Sequence, residues 1–155
     1  MPRTATADWV DRAALVDFLR PRHRAILLTR RRSGGVQLSP VTCGVDADGR
    51  VVVSTYPQRA KAVNARRDPA VSLCVLSDDF DGPWVQVDGE AEVIDLPDAV
   101  EPLIDYYRSI SGEHPDWDEY RAAMTRQGKS LLRVTVTAWG PIATGGFPAN
   151  IADKT

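Results

Sequence analysis

Side chains that bind metals or act as nucleophiles are scarce in this sequence, which has two cysteines and two histidines among 155 residues. Cys43 and Cys74 lie in strand-like segments and lack the spacing of metal ligands, so we expect free buried thiols rather than a disulfide or a zinc site. His23 lies in a charged stretch and His114 precedes a proline. Neither has the neighbours of a catalytic triad. The sequence therefore predicts no metal site and no catalytic side chain.

Long apolar runs and a strong net charge are also absent. No run approaches the roughly 18 apolar residues that cross a bilayer, and the first 20 residues carry charges where a signal peptide is apolar. We therefore expect a cytoplasmic protein that contacts no membrane. The net charge of −2 and the pI near 5.7 argue against a nucleic-acid-binding protein, because such a protein needs a basic surface to neutralise phosphates.

What the sequence does contain is the core of one compact domain, since 43% of its residues are hydrophobic. We expect one domain over residues 1–155, with 1–8 and 141–155 as terminal segments. Residue periodicity predicts a helix at 8–20, strands at 25–29, 36–45 and 50–54, a helix within 54–69, strands at 70–76 and 84–94, helices at 98–111 and from 116, and a strand at 131–139. Six strands with few βαβ units predict a mainly β protein, a small antiparallel barrel with flanking helices.

Three local patterns refine this prediction. The valine run at 51–53 indicates a strand that is buried on both faces. Asp88 and Gly89 interrupt the alternation of the fifth strand and indicate a bulge or sharp bend. Asp116 is placed to cap the last helix.

The tail at 140–155 is rich in glycine and proline, so we expect it to wrap over a surface or to stay loose.

The segment 54–69 reads as the start of a helix. Thr55 is expected to cap it, Gln58 completes a capping-box pattern, and Pro57 is tolerated in the first turn because no intrahelical N–H partner is needed there. Asp68 and Pro69 are expected to end it. In this interpretation Ala60 and Val63 form a narrow apolar face.

Hydrogen-bond donors crowd the rest of this segment: Arg59, Lys61, Asn64, Arg66 and Arg67. Free backbone N–H groups together with fixed cations at a helix N-terminus favour a phosphate or a carboxylate. A solvated basic face is the alternative, because runs of charge commonly have no further role. The sequence alone leaves both interpretations open.

Three runs of the sequence carry a family resemblance. The run VQLSPV at 36–41 and the run RAKAVNARRDP at 59–69 resemble the flavin/deazaflavin split-barrel superfamily that includes pyridoxamine 5′-phosphate oxidase. Together with YRSISGEHPDWDEY at 107–120, the second run resembles the actinobacterial F420-dependent reductases of the B group. The resemblance spans about residues 10–140. It implies a six-stranded split barrel, of the type that binds FMN, that forms a homodimer with two cofactor sites in grooves at the interface.

The resemblance also implies nine cofactor-binding residues and no catalytic side chain. Along the ring system they are Gln37, Ser39 and Val41, and beside the ribityl chain or phosphate they are Ser54 and Thr55. The phosphate and the first carboxylates of the tail are contacted by Arg59, Lys61 and Asn64. Trp84 contacts the cofactor that is bound to the other subunit. The implied anion contacts coincide with the helix start that the residues themselves indicate as an anion site.

Two departures from the family pattern bear on the cofactor and the substrate. Pyridoxamine phosphate oxidases have an arginine before the cofactor contacts of the second strand and a basic C-terminal motif, where this chain has VQLSPV and GGFPANIADKT. Oxidation of vitamin B6 is therefore not expected, and the cation cluster suits the polyanionic tail of F420 better than FMN. The implied function is hydride transfer from reduced F420 to an unsaturated small organic substrate. The alternatives are an FMN-binding oxidoreductase and a non-catalytic F420-binding or storage protein.

Overall fold

The computed structural model describes residues 3–152, and a closed barrel of six antiparallel strands is its centre. In chain order the elements are β1 (Thr6–Asp8), α1 (Arg12–Leu19), β2 (Arg24–Arg30), β3 (Val36–Val45), β4 (Val51–Thr55), α2 (Ala60–Arg67), β5 (Ala70–Leu76), β6 (Val85–Ile94), α3 (Val100–Ser111), α4 (Trp117–Gln127), β7 (Ser130–Trp139), β8 (Ile142–Thr144) and α5 (Ala149–Ala152). The barrel order is β2, β3, β4, β7, β6, β5. The predicted six-stranded antiparallel barrel with flanking helices is confirmed.

Alternation of the side chains builds two hydrophobic layers. On β2, Ala25, Leu27 and Thr29 are buried inside the barrel, and the residues between them face outward. The valines of β4 serve both layers, because Val51 and Val53 belong to the barrel core while Val52 packs with the inner sides of α3 and α4. The prediction that the run 51–53 is buried on both faces is confirmed.

The bulge predicted in β6 lies between Asp88 and Gly89, where the pairing with β7 shifts register. A glycine is required at position 89 because β7 approaches this part of β6 closely. A Cβ built on Gly89 would lie 2.2 Å from the carbonyl oxygen of Thr135 and 2.8 Å from Cγ1 of Val134. Any larger residue would therefore push two paired strands apart. At the other predicted cap, the side chain of Asp116 accepts the N–H of Glu119 and begins α4 as expected.

The predicted start of the basic helix is wrong. The helix α2 begins at Ala60 with Arg59 at the N-cap, and no side chain caps it. Thr55 is instead the last residue of β4, where it pairs with Ser130 of β7. Sheet pairing holds the backbone of Thr55 extended, so the helix starts only after the turn that follows.

The predicted apolar face of this helix is also wrong. Ala60 and Val63 are exposed, and the buried residues are Ala62, Asn64 and Ala65. The N-cap lies four residues later than expected, at Arg59 instead of Thr55, and the small residues Ala62 and Ala65 form the side that packs on the barrel.

The glycine-rich tail forms more regular structure than the sequence suggested. Residues Ile142–Thr144 form β8 and pair antiparallel with β1, which was not predicted. Phe147 continues this contact through backbone hydrogen bonds with Arg3 and Ala5. The tail thus wraps over a surface, one of the two expected outcomes. Within residues 3–152, no helix is long and apolar enough to cross a membrane.

Candidate functional site

The barrel opens where β3 and β4 separate. Their pairing covers only three residue pairs and ends at Cys43 and Val53, although β3 continues outward to Val36 on its β2 side. The opening is lined by side chains that share the inner face of their strands. On β3 these side chains belong to Gln37, Ser39 and Val41, which pair with buried residues of β2. On β4 the side chain is that of Thr55, which follows the buried Val51 and Val53 on the same face.

Two of these residues have buried hydroxyl groups that lack a partner. Ser39 Oγ and Thr55 Oγ1 are enclosed, and neither forms a hydrogen bond with any residue of the described part of the chain. A buried hydroxyl without a partner costs about 1–3 kcal/mol, so such groups need an explanation. A polar ligand in the opening would supply the partners. Ser39 was predicted beside the ring system of the cofactor, and Thr55 beside its ribityl chain or phosphate.

Asn64 lies beneath the opening, and its side-chain amide forms hydrogen bonds with other residues of the protein. Its amide nitrogen donates to Thr29 Oγ1 at 3.1 Å, its amide oxygen accepts from Arg67 at 3.2 Å, and Thr29 donates to Gln37 Oε1 at 3.4 Å. Asn64 is 7% exposed. This network joins α2 to β2 and β3, so Asn64 positions the helix, and its contact with the cofactor phosphate stays a prediction.

Arg59 and Lys61 carry an excess of positive charge at the start of α2. Arg59 is exposed and Lys61 is half-buried. Burial lowers the pKa of Lys61, and the charge of Arg59 lowers it further. Among the described residues, no carboxylate lies within ion-pair distance of either cation. Two neighbouring cations without a counterion favour an anion from outside the chain.

The fold places Trp84 in a groove apart from the opening between β3 and β4. This groove has a volume of about 560 Å³, and it is walled by Trp84, Cys74, Phe80 and Phe147 among others. None of the other eight predicted residues lines it. Trp84 was expected to act from the other subunit, and its 38% exposure leaves the indole free for such a contact.

Sequence reasoning missed two residues beside the opening. The hydroxyl of Tyr106, from α3, donates to the carbonyl oxygen of Thr42 at 3.0 Å, just beyond the last β3–β4 pair, and burial raises the pKa of this phenol. Lys129 precedes β7, and its Nζ lies 4.4 Å from the centre of the Tyr56 ring. Helical spacing from Leu103 could have drawn attention to Tyr106. Nothing in the sequence connects Lys129 with Tyr56.

Both cysteines are free, as predicted, but their burial differs. Cys43 is buried in the barrel, and burial raises the pKa of its thiol to about 12. Cys74 faces outward and is only partly buried, so the expectation of a buried thiol is wrong at that position. His23 lies beside Cys43, and a 2.9 Å hydrogen bond joins its Nδ1 to the carbonyl oxygen of Cys43.

An ion pair anchors the C-terminal end of α2 to the barrel. The guanidinium of Arg66 contacts both carboxylate oxygens of Asp95 at 2.6 Å, and Ser130 Oγ donates to the same carboxylate at 2.6 Å. These contacts with Ser130 and Arg66 lower the pKa of Asp95. The helix that carries Arg59 and Lys61 is therefore held by Asn64 at one side and by Asp95 at its end.

Asp95→Asn is expected to lower the free energy of unfolding by about 1 kcal/mol near neutral pH, a value discounted because the pair is partly exposed. The pKa of Asp95 is lower in the folded chain than in the unfolded chain, so its stabilisation is complete above the unfolded pKa and disappears as the pH falls through the folded pKa. Urea unfolding at pH 7 and at pH 3 should therefore show the difference from wild type shrinking in acid. Asp98→Asn is the control, because Asp98 is exposed and forms no ion pair with any residue within 3–152. An equal difference in the free energy of unfolding at both pH values would show that the stabilisation does not come from the ionised carboxylate of Asp95.

Solved structures with a similar barrel include proteins of several kinds. A conserved hypothetical protein from Mycobacterium tuberculosis has a TM-score of 0.72 and 22% identity, with 90% of this chain and 89% of that chain covered. A protein described as an F420 reductase has a TM-score of 0.59 and 21% identity, over 79% of this chain and 94% of its own. A heme-binding protein from Mycobacterium smegmatis has a TM-score of 0.61 and 17% identity, over 84% and 53%. At these identities the likeness establishes the fold.

The sequence itself matches one family over most of its length. The family model described as pyridoxamine 5′-phosphate oxidase matches residues 12–143. This range runs from the first residue of α1 into β8, and it contains all six barrel strands and all nine predicted site residues. The chain therefore belongs to the pyridoxamine 5′-phosphate oxidase family, whose split barrels typically bind a flavin.

Proposed function

We propose that the protein is a cytoplasmic F420-dependent oxidoreductase that reduces an unsaturated small organic substrate. One observation carries the proposal: the start of α2 presents Arg59 and Lys61 without a described carboxylate partner. This suits a cofactor whose side chain carries a phosphate and several carboxylates. Membership of a flavin-binding family supports a redox role, and the likeness of the fold to a protein described as an F420 reductase is compatible with the deazaflavin.

Each of the proposed contacts has a distinct task. Ser39 and Thr55 use their unpartnered hydroxyls to hold polar groups of the ring system and ribityl chain, while Gln37 and Val41 line the ring. Ser54, half-buried on the opposite face of β4, is placed beside the same chain. Arg59 and Lys61 hold the phosphate and the first carboxylates through charge-assisted hydrogen bonds, which are stronger than neutral ones.

When bound, reduced F420 supplies the hydride, and the protein contributes position rather than a reactive side chain. Alignment of two reactants can contribute roughly 7–11 kcal/mol to lowering a barrier. The groove beside Trp84 and Phe80, which the dimer proposed below would bring to the cofactor of the other subunit, offers an apolar wall for a substrate ring. Among residues 3–152 no group of histidine, cysteine and carboxylate side chains is arranged to hold a metal ion.

We further propose a homodimer with the cofactor sites at its interface. The outward residues of β2 and β3 form an apolar outer face (Ile26, Leu28, Val36, Leu38 and Pro40). Val36 is 43% exposed and Leu38 is 58% exposed. An exposed apolar sheet face of this kind is a common interaction surface. In the dimer, Trp84 of one subunit would contact the cofactor of the other.

An FMN-binding oxidoreductase is the second candidate function, and the family match favours it. The two candidates are distinguished by the side chain of the cofactor. FMN has one phosphate for the cations of α2, whereas F420 has a longer anionic tail. A protein that binds F420 without turnover uses the same residues and differs only in the lack of substrate reduction.

Titration of the purified protein with F420 and, in parallel, with FMN separates these candidates. The readout is quenching of fluorescence on binding. We expect micromolar or tighter binding of F420 and weak binding of FMN, followed by F420-dependent reduction of one or more enones, quinones or imines. A preference for FMN would assign the protein to the flavin branch. Binding of neither cofactor would contradict the proposal.

Lys61→Ala is expected to weaken F420 binding about tenfold, because one charge-assisted hydrogen bond in a half-buried site is lost. The rate of the chemical step should change little, since Lys61 contacts the side chain and not the ring. Dissociation constants from the fluorescence titration test this. Arg20→Ala is the matched control, because Arg20 is an exposed cation that follows α1 at the opposite end of β2 from α2. An unchanged dissociation constant would show that Lys61 does not bind the cofactor.

A further inference from the structure

We infer that Lys129 is a third cation of the anion site at the start of α2 and binds a phosphate or carboxylate group of the cofactor side chain. The inference rests on the proposed function and adds a residue to it. Lys129 lies in the connection between α4 and β7, far along the chain from Arg59 and Lys61. The cofactor tail would then be bound from two sides, by the start of α2 and by the connection between α4 and β7.

Sheet register brings Lys129 to this place. Thr55 of β4 pairs with Ser130 of β7, so the next residue outward on β4, Tyr56, lies beside the preceding residue on β7, Lys129. The ring of Tyr56 is shared by two cations. Lys129 Nζ lies 4.4 Å from its centre, and Arg59 Cζ lies 5.8 Å from it. Cations are attracted to aromatic faces at such distances, and one ring therefore holds two positive charges close together.

The backbone around Lys129 is fixed before any ligand binds. Gly128 ends α4 in the left-handed conformation, with φ of 66°, and its N–H donates to the carbonyl oxygens of Met124 and Thr125. The N–H of Lys129 donates to the carbonyl oxygen of Met124 at 3.3 Å. The half-buried side chain thus extends from a rigid helix end. A preorganised cation loses less conformational entropy when it binds an anion.

The local charge balance points to an anionic ligand. Within the described residues, Arg59, Lys61 and Lys129 all lack a carboxylate at ion-pair distance, whereas Arg66 nearby has Asp95. The chain has only three lysines, and two of them belong to this group. Like charges gathered without counterions repel one another, and an anion between them would relieve the repulsion.

Lys129→Met tests this inference because methionine keeps the length of the side chain and removes its charge. Wild type and variant are titrated with F420, with its deazaflavin-ribityl fragment that lacks phosphate and carboxylates, and with FMN. We expect the variant to bind F420 about tenfold more weakly and to bind the fragment as wild type does. An equal loss for F420 and FMN would assign Lys129 to the phosphate, and a loss for F420 alone would assign it to the carboxylates.

Two further variants complete the experiment. Arg126→Met removes an exposed cation of α4 that pairs with Glu119, and it should leave F420 affinity unchanged. Tyr56→Leu removes the ring shared by Arg59 and Lys129, and it should weaken F420 binding less when Lys129 is already methionine. If Lys129→Met binds F420 as tightly as Arg126→Met does, Lys129 only rests on Tyr56 and the inference is overturned. If wild type binds neither F420 nor FMN, the proposed function fails, and this inference fails with it.

Discussion

Leu38→Glu is expected to convert the proposed homodimer into monomers and to weaken F420 binding at least a hundredfold. Leu38 is 58% exposed on the apolar outer face and pairs with the outward Leu28 of β2. A carboxylate at this position would be buried without a partner in the interface, which costs several kcal/mol. Affinity should fall with the dimer because each site is proposed to need Trp84 of the other subunit. Light scattering gives the mass, and the fluorescence titration gives the affinity.

Trp9→Glu is the control for this prediction. Trp9 is 74% exposed, precedes α1 and belongs to neither of the strands that form the apolar outer face, so the same charge there should leave both mass and affinity unchanged. A wild-type protein that is monomeric would contradict the homodimer. A Leu38→Glu variant that stays dimeric would place the interface elsewhere. A monomeric variant with full affinity would show that one subunit is enough to form the site.

Gly89→Ala is expected to lower the free energy of unfolding by about 3 kcal/mol or more, within the range of severe overpacking. The added Cβ would lie 2.2 Å from the carbonyl oxygen of Thr135, and backbone cannot move aside as a flexible side chain can. The strands β6 and β7 would have to separate at the bulge. Urea unfolding followed by circular dichroism measures the loss.

Gly35→Ala is the matched control for Gly89→Ala. Its new Cβ would meet only Ser33 Oγ at 3.5 Å, an ordinary contact, and Gly35 lies in the turn between β2 and β3. We expect a change within about 0.5 kcal/mol there. Similar stabilities for the two variants would mean that the bulge relaxes around a methyl group and that Gly89 is not required by close approach.

Local patterns in the sequence were enough to predict the barrel. The strand at Val36–Val45 and the strand at Ala70–Leu76 were predicted with the bounds observed, and the bulge at Asp88 and Gly89 was predicted from one interruption of the alternation. Such features depend on neighbours one to four residues apart, which the sequence displays directly. Closure into six antiparallel strands follows because the chain has few crossover helices.

The start of α2 could not be predicted from local patterns, because a distant strand decides it. Thr55 has the side chain of a helix cap, but pairing with Ser130 keeps it in β4. The sequence also does not show that the amide of Asn64 donates to Thr29 of β2. For Thr55, a contact between residues remote in sequence outweighs the local preference.

The sequence by itself thus determined the six barrel strands, the bulge, the cap at Asp116 and the presence of a basic helix after β4. Only the tertiary structure decided which cations gather there. Lys129 meets Tyr56 because the register of β4 and β7 aligns them, and the orphaned hydroxyls of Ser39 and Thr55 arise because β3 and β4 separate. The physical reason is that charge clusters and unpaired polar groups depend on distances in space, which strand pairing sets and residue spacing does not.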